Sequence, residues 1–161
     1  MMKYPVFVYG TLKNGYGNYR LIKEYTTKEL PAATKGKLYD LGGIPGLVEG
    51  DDIIKGELMF IDPDYYQLAL NIIDRLEGYD ENDIDNSLYI RKLIKVYKNE
   101  HTKPTKPTEP TKPTEQTGYS EQTDCSEYID YSEHTGHTVD AYAYFWNGSL
   151  EQAGIIEGGE Y

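Results

Sequence analysis

The chain contains one cysteine and three histidines among 161 residues. A single cysteine excludes an internal disulfide. The scarcity is sharper than the counts suggest, because Cys125, His101, His134 and His137 all fall in one low-complexity stretch. The remainder has neither residue type. Imidazole bases, thiolate nucleophiles and histidine-bound zinc are closed to it, so any catalysis there rests on a carboxylate, tyrosine, lysine, serine or threonine. His134-Thr-Gly-His137 with Cys125 could be drawn as a metal set, but a metal site needs a rigid frame. These residues read as solvated polar groups, and no metal is expected.

Positive charge is also short. Sixteen Lys and Arg against 27 Asp and Glu leave a net charge of −11, which argues against a nucleic-acid partner. No run approaches the roughly 20 apolar residues of a membrane span. The start, MMKYPVFVYG, lacks a basic region followed by a secretory apolar core. No membrane partner is expected, and the plain expectation is a cytoplasmic protein. Nothing in the sequence points to a protein partner.

What is present divides the chain. From Asn99 to Thr138 the residues are almost free of aliphatics, with prolines at 104, 107, 110 and 113, a polyproline II spacing. Eight carboxylates face three lysines there, too little apolar surface to offset ordering entropy. Residues 99–138 are expected to form a disordered surface-loop insertion in a single domain made of 1–98 and 139–161. About 120 residues remain for the core. Strands are expected at Tyr4–Tyr9, Lys35–Leu41, Ile53–Ile61, Leu88–Tyr97 and Val139–Trp146, with a turn at Gly42–Gly46. A helix over Pro63–Glu77 has Asp62 as N-cap and apolar residues at 66, 69, 70, 73 and 76. The fold class is α+β, a small mixed β-barrel or curled sheet with flanking helices.

Two features carry chemistry. In VFVYGTLKNGYGN a short strand enters a loop with three glycines. A P-loop would need Lys and Ser or Thr after Gly15, where Tyr16 and Gly17 stand, and a dinucleotide fingerprint would need glycine at Arg20. Nucleotide binding is therefore not expected. The second feature is Glu77, in the last helical turn before Gly78. A carboxylate there opposes the helix dipole and gains proton affinity, which suits a general base that must return its proton. The ordinary alternative is a surface glutamate at a fraying end. Asp74, one turn earlier, is an equal candidate from local sequence, and Tyr89 and Arg91 on the next strand are either functional or an ordinary sheet surface.

Taken together, FVYGTLKNGYGN, GKLYDLGGIPGLV, GELMFID, DRLEGYD, YIRKLIKV, AYAYFWN and IIEGGEY resemble the gamma-glutamylcyclotransferase-like proteins. The loop is most similar to the gamma-glutamylamine cyclotransferase branch, where Tyr-Gly-Thr rather than Tyr-Gly-Ser is found. The insertion at 99–138 departs from that pattern. The resemblance implies that Glu77 is the catalytic acid and base and that Tyr9, Gly10, Thr11 and Leu12 bind a small-molecule gamma-glutamyl substrate. It implies release of 5-oxoproline and a free amine without a cofactor. In that reading the loop glycines bring N–H groups to a carboxylate or carbonyl oxygen. The alternatives are a non-catalytic binding module for a gamma-glutamyl or other carboxylate ligand, and a scaffold whose acidic tract is a tether.

Overall fold

The computed structural model describes residues 1–98 and 137–161. The expected insertion, with Cys125, His101 and His134, lies outside the described residues apart from its last two positions. Of these, His137 is exposed and Thr138 already belongs to a strand.

Among the described residues, six strands and one α-helix follow in order: β1 (Val6–Val8), β2 (Thr26–Asp40), β3 (Pro45–Ile61), α1 (Tyr66–Glu77), β4 (Tyr89–Lys98), β5 (Thr138–Trp146) and β6 (Gly154–Ile155). Hydrogen bonding runs β3-β1-β5-β4-β2, and β2 pairs back onto β3, so five strands close into a mixed barrel. Only β1–β5 is parallel, with Val6 opposite Tyr142, and β6 adds to the end of β2. The α+β barrel expectation holds. In place of several flanking helices, the described residues carry one α-helix and short 3-10 turns.

The strands expected at 35–41 and 53–61 are halves of longer ones. β2 and β3 form a hairpin paired from Thr26↔Ile61 to Asp40↔Pro45. Its register jumps where Gly36↔Asp52 gives way to Lys37↔Val48, a bulge that bends the ribbon. The ribbon crosses itself closely there, since a Cβ on Gly50 would lie 2.9 Å from the Gly36 carbonyl carbon.

Alternation along the strands divides the core in two. Phe7, Leu38, Leu47, Ile54, Leu58, Val96 and Phe145 of the strands form one cluster with Tyr9. Val6, Val8, Met59 and Tyr144 join Tyr66, Ala69, Leu70 and Ile73 of α1 in the other. β1 is buried on both faces, which is why VFV shows no polar residue. The helix buries 66, 69, 70 and 73 as its spacing predicts, but Leu76 remains 38 % exposed. It also starts later than expected. Asp62 and Pro63 belong to a preceding turn, in which the Asp62 carboxylate accepts from Asp64 N–H at 2.9 Å, and Tyr65 occupies the N-cap.

Candidate active site

The helix ends as its glycine dictates. Gly78 takes the left-handed conformation (φ 62°, ψ 37°), the Tyr79 N–H reaches the Asp74 carbonyl at 2.9 Å and the Gly78 N–H that of Arg75 at 3.3 Å. This double closure reverses the chain at once. Glu77 is left as the last helical residue, facing inward. Burial alone pushes its carboxyl up from the usual range to about 7. Among the described residues it has no hydrogen-bonded or ionic partner. At neutral pH it is poised between its two protonation states.

Two phenols lie in its field. Burial first, and then the Glu77 charge, raise the proton affinities of Tyr9 and Tyr89. Both hydroxyls are engaged on the main chain. Tyr9 donates to the Tyr144 carbonyl at 2.6 Å and accepts from the Leu47 N–H at 3.4 Å, while Tyr89 donates to the Pro45 carbonyl at 2.8 Å. The Glu77 charge thus reaches both Tyr9 and Tyr89. Asp74 is engaged elsewhere. Arg91 donates to it at 2.5 Å and the Tyr144 hydroxyl at 2.6 Å, and the guanidinium lies 5.0 and 4.9 Å from the ring centres of Tyr79 and Tyr142. Burial is the largest single influence and works against the Arg91 charge, but Asp74, Tyr144 and Tyr79 together outweigh it and raise its proton affinity. Asp74 and Arg91 border a groove of about 280 Å³ with Tyr79 and Asp80, which Glu77 does not line.

After Tyr9 the chain turns tightly. The Lys13 N–H closes onto the Gly10 carbonyl at 3.0 Å, and a Cβ at Gly10 would lie 2.7 Å from the Pro45 ring. Leu12 anchors the turn in the cluster that contains α1. Asn18 closes the loop onto Thr11, by its N–H to the carbonyl at 3.2 Å and its amide to the hydroxyl at 2.8 Å. Further out, Asn14 donates its N–H to Glu57 at 2.9 Å and its amide to Glu29 at 3.0 Å. The N–H groups of Gly10, Thr11 and Leu12 meet no protein acceptor among the described residues. Successive backbone donors in a glycine turn of this kind are suited to an anionic or carbonyl oxygen. No trio of His, Cys, Asp or Glu among the described residues could hold a metal ion, and no described helix is long and apolar enough to cross a membrane.

Sequence reasoning missed Lys13 and Tyr161. Lys13 is only 7 % exposed, and its ammonium donates to the main-chain oxygen of Tyr161 at 2.7 Å. These residues are 148 positions apart, so no local pattern could pair them. Position alone signalled Lys13, directly after the loop.

A small closed barrel, a glycine turn after its first strand and a half-buried carboxylate at a helix end together define a small α+β barrel protein. The chain belongs to the family described as "Gamma-glutamyl cyclotransferase, AIG2-like", whose model matches residues 6–161. It is similar to a Vibrio cholerae serotype O1 protein provisionally named gamma-glutamylcyclotransferase, at 32 % identity over 106 residues, 62 % of this chain and 87 % of that one. It is also 37 % identical over 78 residues to the gamma-L-glutamyl-butirosin B gamma-glutamyl cyclotransferase of Niallia circulans, covering 46 % of each chain. The chain therefore spans less than half the length of that second relative. The crystal structure of an aig2-like protein from mouse shares the fold, with a TM-score of 0.58 and 16 % identity over 98 % of this chain and 87 % of that one.

Proposed function

We propose that this chain cleaves a gamma-glutamyl amine or gamma-glutamyl amino acid by intramolecular attack, with Glu77 as general base and then general acid. The observation that carries this reading is Glu77 itself: without a partner among the described residues, raised to about 7 by burial, and acting through its charge on Tyr9, which directly precedes the glycine turn. A purely structural carboxylate would sit in water or beside a cation.

The chemistry needs little else. The substrate's α-ammonium gives a proton to Glu77, and the freed amine attacks the γ-carbonyl carbon, closing a five-membered ring. The carbonyl oxygen gains negative charge, which N–H groups of residues 10–12 are suited to receive. Collapse of that intermediate breaks the bond to the departing nitrogen, which takes the proton back from Glu77, and the ring nitrogen gives up its second proton, so that the amine leaves as an ammonium. The products are 5-oxoproline and a free amine, and no water is consumed. Holding a flexible glutamyl chain curled supplies the proximity term, and one carboxylate serving both proton transfers contributes about 10²–10⁴ in rate. The Thr11 position favours the amine-directed branch over the glutathione-directed one.

The test is to incubate the chain with gamma-glutamyl-ethylamide, gamma-glutamyl-ε-lysine and gamma-glutamyl-alanine and assay 5-oxoproline. Glu77→Gln keeps the size but cannot accept a proton, so turnover should drop at least about a hundredfold with substrate affinity little changed. Near-normal turnover in Glu77→Gln would remove the mechanism. A wild-type chain that binds these compounds without releasing 5-oxoproline would establish the binding module instead.

A further inference from the structure

The segment after β6 is fixed against the barrel. Gly159 is buried with φ +66°, and a Cβ there would lie 1.9 Å from the Ile53 carbonyl oxygen, so the segment presses onto β3 with no room for a side chain. Two residues on, Tyr161 is held from two sides. Its main-chain oxygen accepts from the Lys13 ammonium at 2.7 Å and from the Tyr16 hydroxyl at 3.2 Å, while its own hydroxyl donates to the Gly43 carbonyl. Lys13 in turn lies over the Tyr16 ring, 5.1 Å from its centre.

The two segments joined in this way both turn on glycine and are tied within themselves only by short-range bonds, Asn18 to Thr11 in the loop and the Gly42 and Gly43 N–H groups to the Asp40 carboxylate in the hairpin tip. Gly15, Gly42 and Gly43 all have φ near +93° or +94°, and a Cβ on any of them would touch nothing. Glycine turns without packing lose the most conformational freedom on ordering. A site that must hold a floppy glutamyl chain curled therefore depends on something that holds both rims. Tyr161 completes a series that Tyr9 and Tyr89 begin: the three phenols bond main-chain groups of Gly43, Pro45 and Leu47, alternate residues leading into β3. Each phenol comes from a different part of the chain.

We propose that Tyr161 is a positioning residue, a latch joining the Lys13–Tyr16 limb of the glycine loop to the Gly42–Pro45 hairpin tip and thereby fixing the width of the site across which the gamma-glutamyl group is held. It does not touch the reacting atoms. The proposal rests on the acid–base role given above to Glu77, and acts through binding rather than chemistry.

Hydrogen–deuterium exchange and kinetics on the full chain test it. Tyr161→Phe removes only the bond to Gly43, and Lys13→Met removes the opposite limb while keeping an apolar stem. Exchange across residues 41–46 should speed up roughly three- to tenfold in Tyr161→Phe, the loss of one ordinary hydrogen bond. Exchange across 10–16 should speed up similarly in Lys13→Met. KM for whichever gamma-glutamyl compound the wild-type chain turns over should rise by the same factor in both, with kcat within about twofold, the signature of lost uniform binding. The double variant should be no worse than the poorer single one, because either change opens the same latch. Unchanged exchange in Tyr161→Phe overturns the proposal, as does faster exchange with an unaltered KM, or multiplicative effects in the double variant. A wild-type chain that releases no 5-oxoproline defeats the function assigned to Glu77, and the exchange result then decides the latch alone.

Discussion

Glu77 should cost this protein stability, and replacing it should return that stability in a pH-dependent way. Burial raises its carboxyl from 4.5 to about 7, a shift of about 2.5 units, or about 3 kcal/mol at 1.36 kcal/mol per unit. The native state therefore binds the proton more tightly than the unfolded chain does. The favourable state is the protonated one. Its advantage is fully present below the unfolded value near 4.5 and is lost as pH rises to 7, above which folding carries the whole cost. Glu77→Gln has no proton to lose. Its stability relative to wild type should be near zero at pH 4.5, grow through pH 5 and 6, and level off above 7 at no more than about 3 kcal/mol. At roughly 3 °C or more per kcal/mol, that is a rise in melting temperature approaching 10 °C at pH 8. The helix dipole adds to the same side, since a negative charge at the last helical residue opposes it. Urea melts of both proteins at half-unit pH intervals give the difference curve directly. Asp74, Glu57 and the other carboxylates titrate in both proteins, so the difference isolates Glu77. A difference that is flat with pH, or that falls as pH rises, would show that Glu77 is not buried as described.

The same carboxyl sets the activity profile: kcat/KM should climb about tenfold per pH unit below 7 and level off above it, and a rising limb centred near pH 4.5 would contradict the burial. Arg91→Met should destabilise the fold by about 2 kcal/mol in urea melts, because it strands Asp74, whose side chain is 18 % exposed, without its cation. Asp74→Asn keeps a partner for the Tyr144 hydroxyl and should be milder in both stability and turnover; the reverse order would refute the account of this pair. A chain in which Lys98 is joined to Thr138 by a short glycine-serine turn should keep its melting temperature within about 2 °C, because Tyr97 and Thr138 already face each other across β4 and β5. A large drop in that melt would show that residues 99–137 pack on the barrel.

The helix end was legible because its signals are local. Glu77-Gly78 states the left-handed cap, and VDAYAYFW alternates strictly enough to mark β5 with either face assigned. The first half of β2 was not legible. TTKELPAAT carries Lys28, Glu29 and Pro31 on a surface strand, and what makes it a strand is its partner β3 rather than its own pattern. The opening of β3 reads as a turn for a different reason. Gly46 and Gly50 are glycines because Leu41 and the Gly36 backbone come too close for a side chain, not because the chain turns there. Leu76 keeps the helical spacing and yet stays exposed, since the cap diverts the chain before anything covers it. The reach of the Glu77 charge to Tyr9 and the bond of Lys13 to Tyr161 depend on barrel closure, which no window of residues encodes.

That closure has a consequence for how the protein comes into being. β1 finds its parallel neighbour only in β5, and the bond between Lys13 and Tyr161 joins residues 148 positions apart. During translation the β2–β3 hairpin, whose contacts are local, can assemble early. β1 can add to it by pairing with the upper part of β3, but its other edge, and that of β4, stay open until β5 emerges. No nascent or prematurely terminated chain can be partly competent. It presents bare strand edges, the profile of a quality-control substrate, and the barrel closes in one step once β5 is available.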